Sequence, residues 1–323
     1  MTLDPARAAV RLAVRPVVRD ATRVLVACSG GADSLALLAA TVFEARRDAV
    51  AVIGATVDHG LQRESADRAA AVVDQMATLG VAETATIRVT VDPGPAGIEA
   101  GAREARYAAL AQLALHFGAD RVLLGHTRDD QAETVLLGLT RGSGGRSLQG
   151  MRRAFLDDGV SYVRPLLDLT RAQTEAACTA DGITWWDDPH NAEPRFTRSR
   201  IRHTVMPMLE DELGPGIADS LARTADQLRA DMEFVEGAAD ALYAEVVRDG
   251  AIDLARLGAD VRSALATRVI RRAAIEAGAI PSELTREHVL AIWSIFDQPG
   301  KQIQLPGHLT AESDGRLVTF RQT

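Results

Sequence analysis

The sequence predicts an α/β fold: a parallel five-stranded sheet with helices on both faces, followed by a smaller and mainly helical C-terminal domain. Three observations carry this. Short β-branched runs alternate with longer Ala/Leu-rich stretches through the first half of the chain, the pattern of strands joined by crossover helices. At 323 residues the chain exceeds what one hydrophobic core commonly serves. From Gly214-Pro215-Gly216 onward the pattern turns helical and rich in Ala, Arg and Leu, which places the domains at 1–214 and 215–323.

The expected strands are Arg23 to Cys28, Val50 to Asp58, Ala85 to Val91, Arg121 to Gly125 and one more near Tyr162 to Leu166. Their apolar runs suit a sheet covered on both sides. Ligands of such sheets bind at the carboxyl ends of the strands, beside the switch in strand order. Three of the following loops hold residues fit for chemistry: Ser29 to Ser34, Asp58 to Glu64, and His126 to Glu133. In the second domain the longest helical period runs near Val261 to Ala277 and stops at Gly278 and Pro281, as helices do. Lys301 to Phe320 reads as short strands.

Composition narrows the function classes. With 47% hydrophobic and 25% charged residues and no fixed-period repeat, the chain reads as an ordinary globular protein. Arg7, Arg11, Arg15 and Arg19 interrupt the first twenty residues, and no later run is long and uncharged enough to span a bilayer, so a cytoplasmic location is expected. Cys28 and Cys178, the only cysteines, form no CxxC pair and argue against a disulfide framework or an iron-sulfur cluster. The net charge of -8 means that an RNA partner must meet a local basic patch. Two windows offer one: Arg141, Arg146, Arg152 and Arg153, then Arg195, Arg198, Arg200 and Arg202, both without acids. Lys301 is the single lysine; the arginine bias suits bidentate phosphate contacts or reflects genome composition.

Ser29-Gly30-Gly31-Ala32-Asp33-Ser34 follows the first strand and opens a helix at Leu35. Adjacent glycines let the backbone turn tightly, so that amides and the helix N-terminus converge on one anion. The plain alternative is a helix N-cap. A carboxylate beside phosphates repels them unless a cation intervenes, so Asp33 is a candidate Mg²⁺ ligand. The P-loop pattern GxxxxGK[ST] is absent. In Gly125-His126-Thr127-Arg128-Asp129-Asp130-Gln131-Ala132-Glu133 the acids gather at the first turns of a helix, where carboxylates are favoured and can hold Mg²⁺ or orient a base. Helical spacing sets Glu99, Arg103 and Arg106 on adjoining turns, as a site or as a solvated ion pair.

The first of these segments resembles the loop of the N-type ATP pyrophosphatases, the PP-loop superfamily with its adenine nucleotide alpha hydrolase-like fold. Within it the chain is similar to the tRNA(Ile)-lysidine synthases. Val57-Asp58-His59-Gly60-Leu61 resembles their VDHGLR element, with Gln62 and then Arg63 where an arginine is usual. Glu99, Arg103, Arg106 and Tyr107 match E-x-x-A-R-x-x-R-Y, and the loop from Gly125 matches GHxxDDQAET. Arg141 to Met151 resembles RGSGxxGLxGM, Arg164-Pro165-Leu166-Leu167 matches RPLL, and Asp188 with Asn191, Phe196, Arg198 and Arg202 resembles D-x-x-N-x-x-x-x-F-x-R-N-x-x-R, Ser199 replacing an asparagine.

The resemblance implies that ATP adenylates O2 of the wobble cytidine in a tRNA(Ile) with a CAU anticodon, and that free L-lysine then attacks C2 to form lysidine. It implies ATP contacts from Ser29, Gly30, Gly31, Ala32, Asp33, Ser34, Asp58, His59 and Gly125. Asp33 and Asp130 would hold Mg²⁺, and Arg103, His126 and Arg202 would meet transition-state charge or place lysine. A base-thiolating relative, an amide-forming ligase and a non-catalytic tRNA binder are the alternatives, and a homodimer is allowed. Beyond Gly214 the resemblance is weak, and the chain is expected to lack the further C-terminal domain of longer members.

Overall fold

The computed structural model describes residues 4–60, 64–92, 97–142, 144–188, 193–257 and 264–323. Gln62, Arg63, Ser143 and Asn191 lie outside them, as do the side chains of Glu99 and Arg141. The chain forms two compact units, Met1–Asp226 and Gln227–Thr323.

In the first unit the order is α1 (Pro5–Arg19), β1 (Arg23–Ala27), α2 (Ala32–Asp48), β2 (Ala51–Asp58), α3 (Ser65–Leu79), β3 (Glu83–Arg88), α4 (Ile98–Phe117), β4 (Arg121–Leu124), α5 (Arg128–Arg141), α6 (Gly145–Leu148), β5 (Ala154–Asp157), β6 (Val160–Val163), α7 (Arg171–Ala180), α8 (Thr197–Arg200), a π-turn (Ile201–Val205) and α9 (Met206–Leu213). Asp4 caps α1 through the amides of Ala6 and Arg7, and Val10, Val14 and Val18, spaced by four, turn one buried stripe toward α2 and α7.

The sheet runs β3-β2-β1-β4-β6-β5. The first five strands are parallel, as the sequence predicts. The sixth, β5, is an antiparallel edge strand absent from the expectation. It enters through the two-residue turn Asp158-Gly159, both at positive φ (46° and 77°), the geometry that Asp-Gly hairpins favour. Strand order reverses at β1, whose last residue Ala27 lies between Ala55 of β2 and Leu124 of β4. The loops after β1 and β4 therefore emerge side by side.

That approach is close enough to demand glycine. A Cβ on Gly125 would sit 3.1 Å from backbone atoms of Asp33 and Ser34. Gly30 adopts φ +84°, and a Cβ there would lie 2.6 Å from Val72 Cγ2, so both conformation and space require its missing side chain.

The helix α10 (Ile217–Val246) begins in the first unit, where Asp219 pairs with Arg128 at 2.7 Å and Asp226 with Arg153 at 3.2 Å. The division at Asp226 thus falls inside α10, twelve residues past the Gly214 break suggested by the sequence. The second unit continues with β7 (Val247–Arg248), β8 (Ala251–Asp253), α11 (Leu254–Leu257), α12 (Ala264–Glu276), α13 (Arg286–Ser294), β9 (Gln302–Leu305), β10 (Leu309–Ser313) and β11 (Leu317–Gln322). Its strands form an antiparallel sheet in the order β7-β8-β11-β10-β9, packed with α12 and α13 around Ile252, Ile270, Ile292, Ala311 and Val318. The helices match the expectation. The strands are more extensive than Lys301 to Phe320 alone, because the Asp249-Gly250 turn, again at positive φ, adds a second hairpin.

Gly138 of α5 leaves no room for a methyl group: a Cβ would stand 2.0 Å from the Ser147 carbonyl oxygen of α6. Gly138→Ala is expected to cost about 1–3 kcal/mol through overpacking, read as a lower urea midpoint at unchanged slope. An unmoved midpoint would show that α6 yields without cost.

Candidate active site

The loop after β1 is built from its own hydroxyls. Ser34 Oγ accepts from the Ser29 amide (3.1 Å), lies 3.3 Å from Ser29 Oγ, and donates to the Gly31 carbonyl (2.9 Å). The Gly30 carbonyl accepts from the Trp186 amide at 3.1 Å. No side chain caps the N-terminus of α2 at Gly31. A seventeen-residue helix thus presents its dipole and first amides at the carboxyl end of β1, an arrangement that favours an anion. Ala32 contributes backbone only.

Asp33 extends from the first turn of α2. Thr174 Oγ1 donates to its Oδ1, and Arg171 Nε lies 3.5 Å from its Oδ2. Burial pushes this carboxyl up to about 6, with Asp130 adding to the rise, against the opposing pull of Thr174, Arg171 and Arg202.

Asp130 and Glu133 face it from α5. Asp130 is divided between two tasks. Its Oδ2 accepts from the Thr127 amide (2.8 Å) in a capping box, while its Oδ1 is shared by Arg202 (3.1 Å), Arg171 (3.3 Å) and Arg198 (3.5 Å). Burial opposes ionisation, but Arg198, Arg171 and the Thr127 amide hold this carboxyl below the usual range. Glu133, 2% exposed, accepts from Arg198 Nε at 2.8 Å and from Arg202 Nε and Nη2 at 2.6 and 2.9 Å. Arg202 is the second residue of the π-turn that follows α8, and such turns frequently occur at functional sites. Asp129, expected among the site carboxylates, instead accepts from the Arg171 amide at 2.8 Å and anchors the start of α7.

His126 completes the loop after β4. Arg164 Nε donates to its Nδ1 at 3.2 Å. Burial and the cations Arg106, Arg164 and Arg198 press its pKa down to about 3, against the pull of Asp130, so the ring is neutral. His59 is likewise lowered, by burial and then Arg106. His59 Nδ1 and Arg106 Nε are both buried without a hydrogen-bond partner among the described residues. Arg103 is exposed, with its guanidinium 4.9 Å from the Tyr107 ring centroid and Nη2 3.4 Å from Tyr107 Oη. Asp58, beside His59, accepts from the Gly60 amide at 2.8 Å; this bond and Arg88 hold it low although burial opposes them.

Topology therefore brings together Ser29 to Ser34, Gly125, His126, Asp130 and Arg202. Sequence reasoning passed over Arg171 and Thr174, which bind Asp33 directly. The signal available was Thr170-Arg171-x-Gln173, a capping box that puts an arginine at a helix N-terminus, where the dipole disfavours it unless acids are near. The basic windows also change meaning. Arg153 is clasped by Asp168 through two bonds of 2.6 Å, Arg198 and Arg202 turn inward to Glu133, Arg195 pairs with Glu193, and Arg200 donates to the carbonyls of Pro194 and Arg195. Of these eight arginines Arg198 and Arg202 are committed to the buried Glu133, and Arg153, Arg195 and Arg200 are engaged at the surface.

Residues 5–209 match the PP-loop domain family. A tRNA(Ile)-lysidine synthase of Salinispora arenicola (strain CNS-205) is 50% identical over 295 residues, covering 90% of this chain and 88% of that protein. One from Thermobifida fusca (strain YX) is 47% identical over 321 residues, covering 97% of each. The chain belongs to the tRNA(Ile)-lysidine synthase family. Among solved structures, the U34-tRNA thiolase NcsA of Methanococcus maripaludis with its [4Fe-4S] cluster shares the fold, with a TM-score of 0.57 at 19% identity over 69% of this chain and 77% of that one. No described helix is long and apolar enough to cross a membrane.

Among the acids gathered here, Asp33 is one whose ionisation burial disfavours. Its carboxyl rests near 6 in the fold and near 3.9 in an unfolded chain. The folded state thus binds the extra proton, and stability falls as pH rises between about 4 and 6. Asp33→Asn is expected to raise stability above pH 6 by on the order of 2 kcal/mol, at ~1.4 kcal/mol per unit, the gain fading by about pH 4. Urea unfolding at both ends of that window checks it; a destabilised variant at high pH would show that ionised Asp33 is favourable in the fold.

Proposed function

We propose that this chain joins free L-lysine to C2 of the wobble cytidine of tRNA(Ile) with a CAU anticodon, converting ATP to AMP and pyrophosphate in a cytoplasmic setting. The observation that supports it best is the side-by-side exit, at the switch in strand order, of the anion-receptive Ser29 to Ser34 loop and the His126, Asp130, Glu133 cluster.

In the first step cytosine O2 attacks the α-phosphorus, and the bond to pyrophosphate breaks with its electron pair leaving on pyrophosphate. In the second, the lysine ε-amine forms a bond to C2, the C2–O2 bond breaks, and AMP departs. Both steps depend on positioning and on charge complementarity. The amides at the start of α2, with Ser29 and Ser34, receive the phosphates. Asp58, His59 and Gly125 border the nucleotide, and the arginines of the cluster, Arg202 foremost, offset negative charge as it builds. Arg103, exposed on α4, suits a contact with RNA or with lysine. The target base must leave its stack, as anticodon-loop bases can.

Mg²⁺ fits this donor set in one respect. Among the described residues no three His, Cys, Asp or Glu gather as a metal site, so the ion would rely on Asp33, phosphate oxygens and water, its common habit. Asp33, whose burial disfavours its charge, gains most from a cation; Asp130 joins only where its Oδ1 is released by the arginines. When bound, the ion would screen the phosphates from these carboxylates.

Protein, ATP, Mg²⁺ and radioactive lysine are expected to label a transcript bearing CAU and to leave altered anticodons unlabelled. Absence of label on the CAU transcript would refute the proposal. Asp33→Ala is expected to lower AMP release at least 10²-fold while tRNA binding changes little; retained turnover would exclude Asp33 from the metal and phosphate chemistry.

A further inference from the structure

Arg164 lies just past β6 and is 4% exposed. Each nitrogen of its guanidinium donates: Nε to His126 Nδ1 (3.2 Å), Nη1 to the Arg152 carbonyl (2.6 Å) and Nη2 to Tyr107 Oη (3.1 Å). The cation also lies 4.6 Å from the Phe155 ring centroid. Phe155 stacks on Tyr162 at 5.0 Å, and Tyr107 meets Tyr162 edge-on at 5.2 Å. The guanidinium is thus fixed from several sides and cannot swing away from the histidine.

A guanidinium has donors only and keeps its proton in proteins. In the bond between Arg164 and His126, Nδ1 must therefore be the acceptor. A neutral imidazole that accepts at Nδ1 carries its hydrogen on Nε2. Among the described residues the charges facing the ring are Arg106 of α4, Arg164 and Arg198 of α8, all cationic, opposed by Asp130 of α5; a second ring proton is disfavoured.

We propose that Arg164 is a positioning residue that holds His126 in its neutral Nε2–H tautomer, so that His126 serves the lysine-transfer reaction as a hydrogen-bond donor and never as its base. This rests on the function proposed above. Neither ring nitrogen keeps a lone pair for a proton: Nδ1 is taken by Arg164 and Nε2 already bears hydrogen. When the amine adds to C2 and AMP leaves with O2 and the bonding pair, the proton shed by the amine goes to water. His126 keeps its own, and its Nε2–H offers a hydrogen bond to oxygen that gains negative charge.

The tautomer is read without activity. In full-length protein labelled with ¹⁵N-histidine, long-range ¹H–¹⁵N correlation distinguishes the two nitrogens, and the His126 signals are assigned by their loss in His126→Gln. Expected is a bare Nδ1 and a protonated Nε2 in the substrate-free wild type; a proton on Nδ1, or on both, overturns the proposal whether or not any Arg164 variant folds. In Arg164→Leu the pattern is expected to move toward an average of the two tautomers, and an unchanged pattern would remove Arg164 from the role. For catalysis, His126→Gln, which restores an N–H near Nε2, is expected to keep lysine incorporation within about tenfold of wild type, and His126→Ala to lose about 10²-fold or more. Equal losses in both would overturn the donor role. Absence of incorporation in the wild type overturns the donor role together with the function it rests on, and the tautomer spectrum tells that case apart.

Discussion

Two buried carboxylates, Asp130 and Glu133, and the half-buried Asp33, Arg171, Arg198 and Arg202 gathered round them at the carboxyl ends of β1 and β4 set the terms for the rest of the catalytic unit. Asp33, Asp130 and Glu133 come from two helices that start beside each other, and Arg171, Arg198 and Arg202 come from segments far along the chain. Charges taken out of water must be paired, and losing one member of a buried pair costs about 3–5 kcal/mol. The cluster therefore holds the 197–205 segment on α5 and α7 on α2 more firmly than a short helix and a π-turn could by themselves. It also leaves Asp33 as the member whose ionisation is least favoured, a carboxyl poised to gain from an added cation.

Beside this balanced cluster lies a layer with the opposite character. Arg103, Arg106 and Arg164 share the aromatic side chains of Tyr107 and Phe155, with two histidines kept neutral by burial and by those same cations. Among the described residues no acid pairs with these arginines, and Arg106 Nε and His59 Nδ1, buried with no hydrogen-bond partner among them, mark the layer as receptive to anionic or hydrogen-bonding atoms. The two layers meet at His126 and Asp130. One layer thus joins carboxylates to guanidiniums and the other joins guanidiniums to aromatic rings and neutral imidazoles.

Much of this was readable from particular residues. The glycines of Ser29 to Ser34, the acids after Gly125 and the arginines near Phe196 are chemically unusual for strand-to-helix loops, so they stood out without any knowledge of their neighbours. What stayed hidden has local causes. Arg171 and Thr174 sit in an ordinary helix start, and only the dipole argument against an arginine there hinted at an acidic partner. The missed edge strand β5 and the hairpin of β7 and β8 both turn on Asp-Gly, a recognisable signal, but their strands of two to four residues are too short to show a period. Arg153 and Arg198 looked like RNA contacts because a linear window counts the arginines and cannot see Asp168 or Glu133.

By itself, then, the sequence determined the parallel sheet, the anion-receptive loop and the set of residue types at its carboxyl edge, since these follow from local periodicity and from glycine, serine and acid placement within single loops. Only the tertiary structure decided which charges are free and which are spent on one another, which oxygen of Asp130 faces the site, and which nitrogen of His126 carries the proton. Those properties are set by partners far along the chain, such as Arg164 for His126 (38 residues apart) and Arg202 for Asp130 (72 apart), and the distance dependence of charge and hydrogen bonding makes them invisible until the chain has folded.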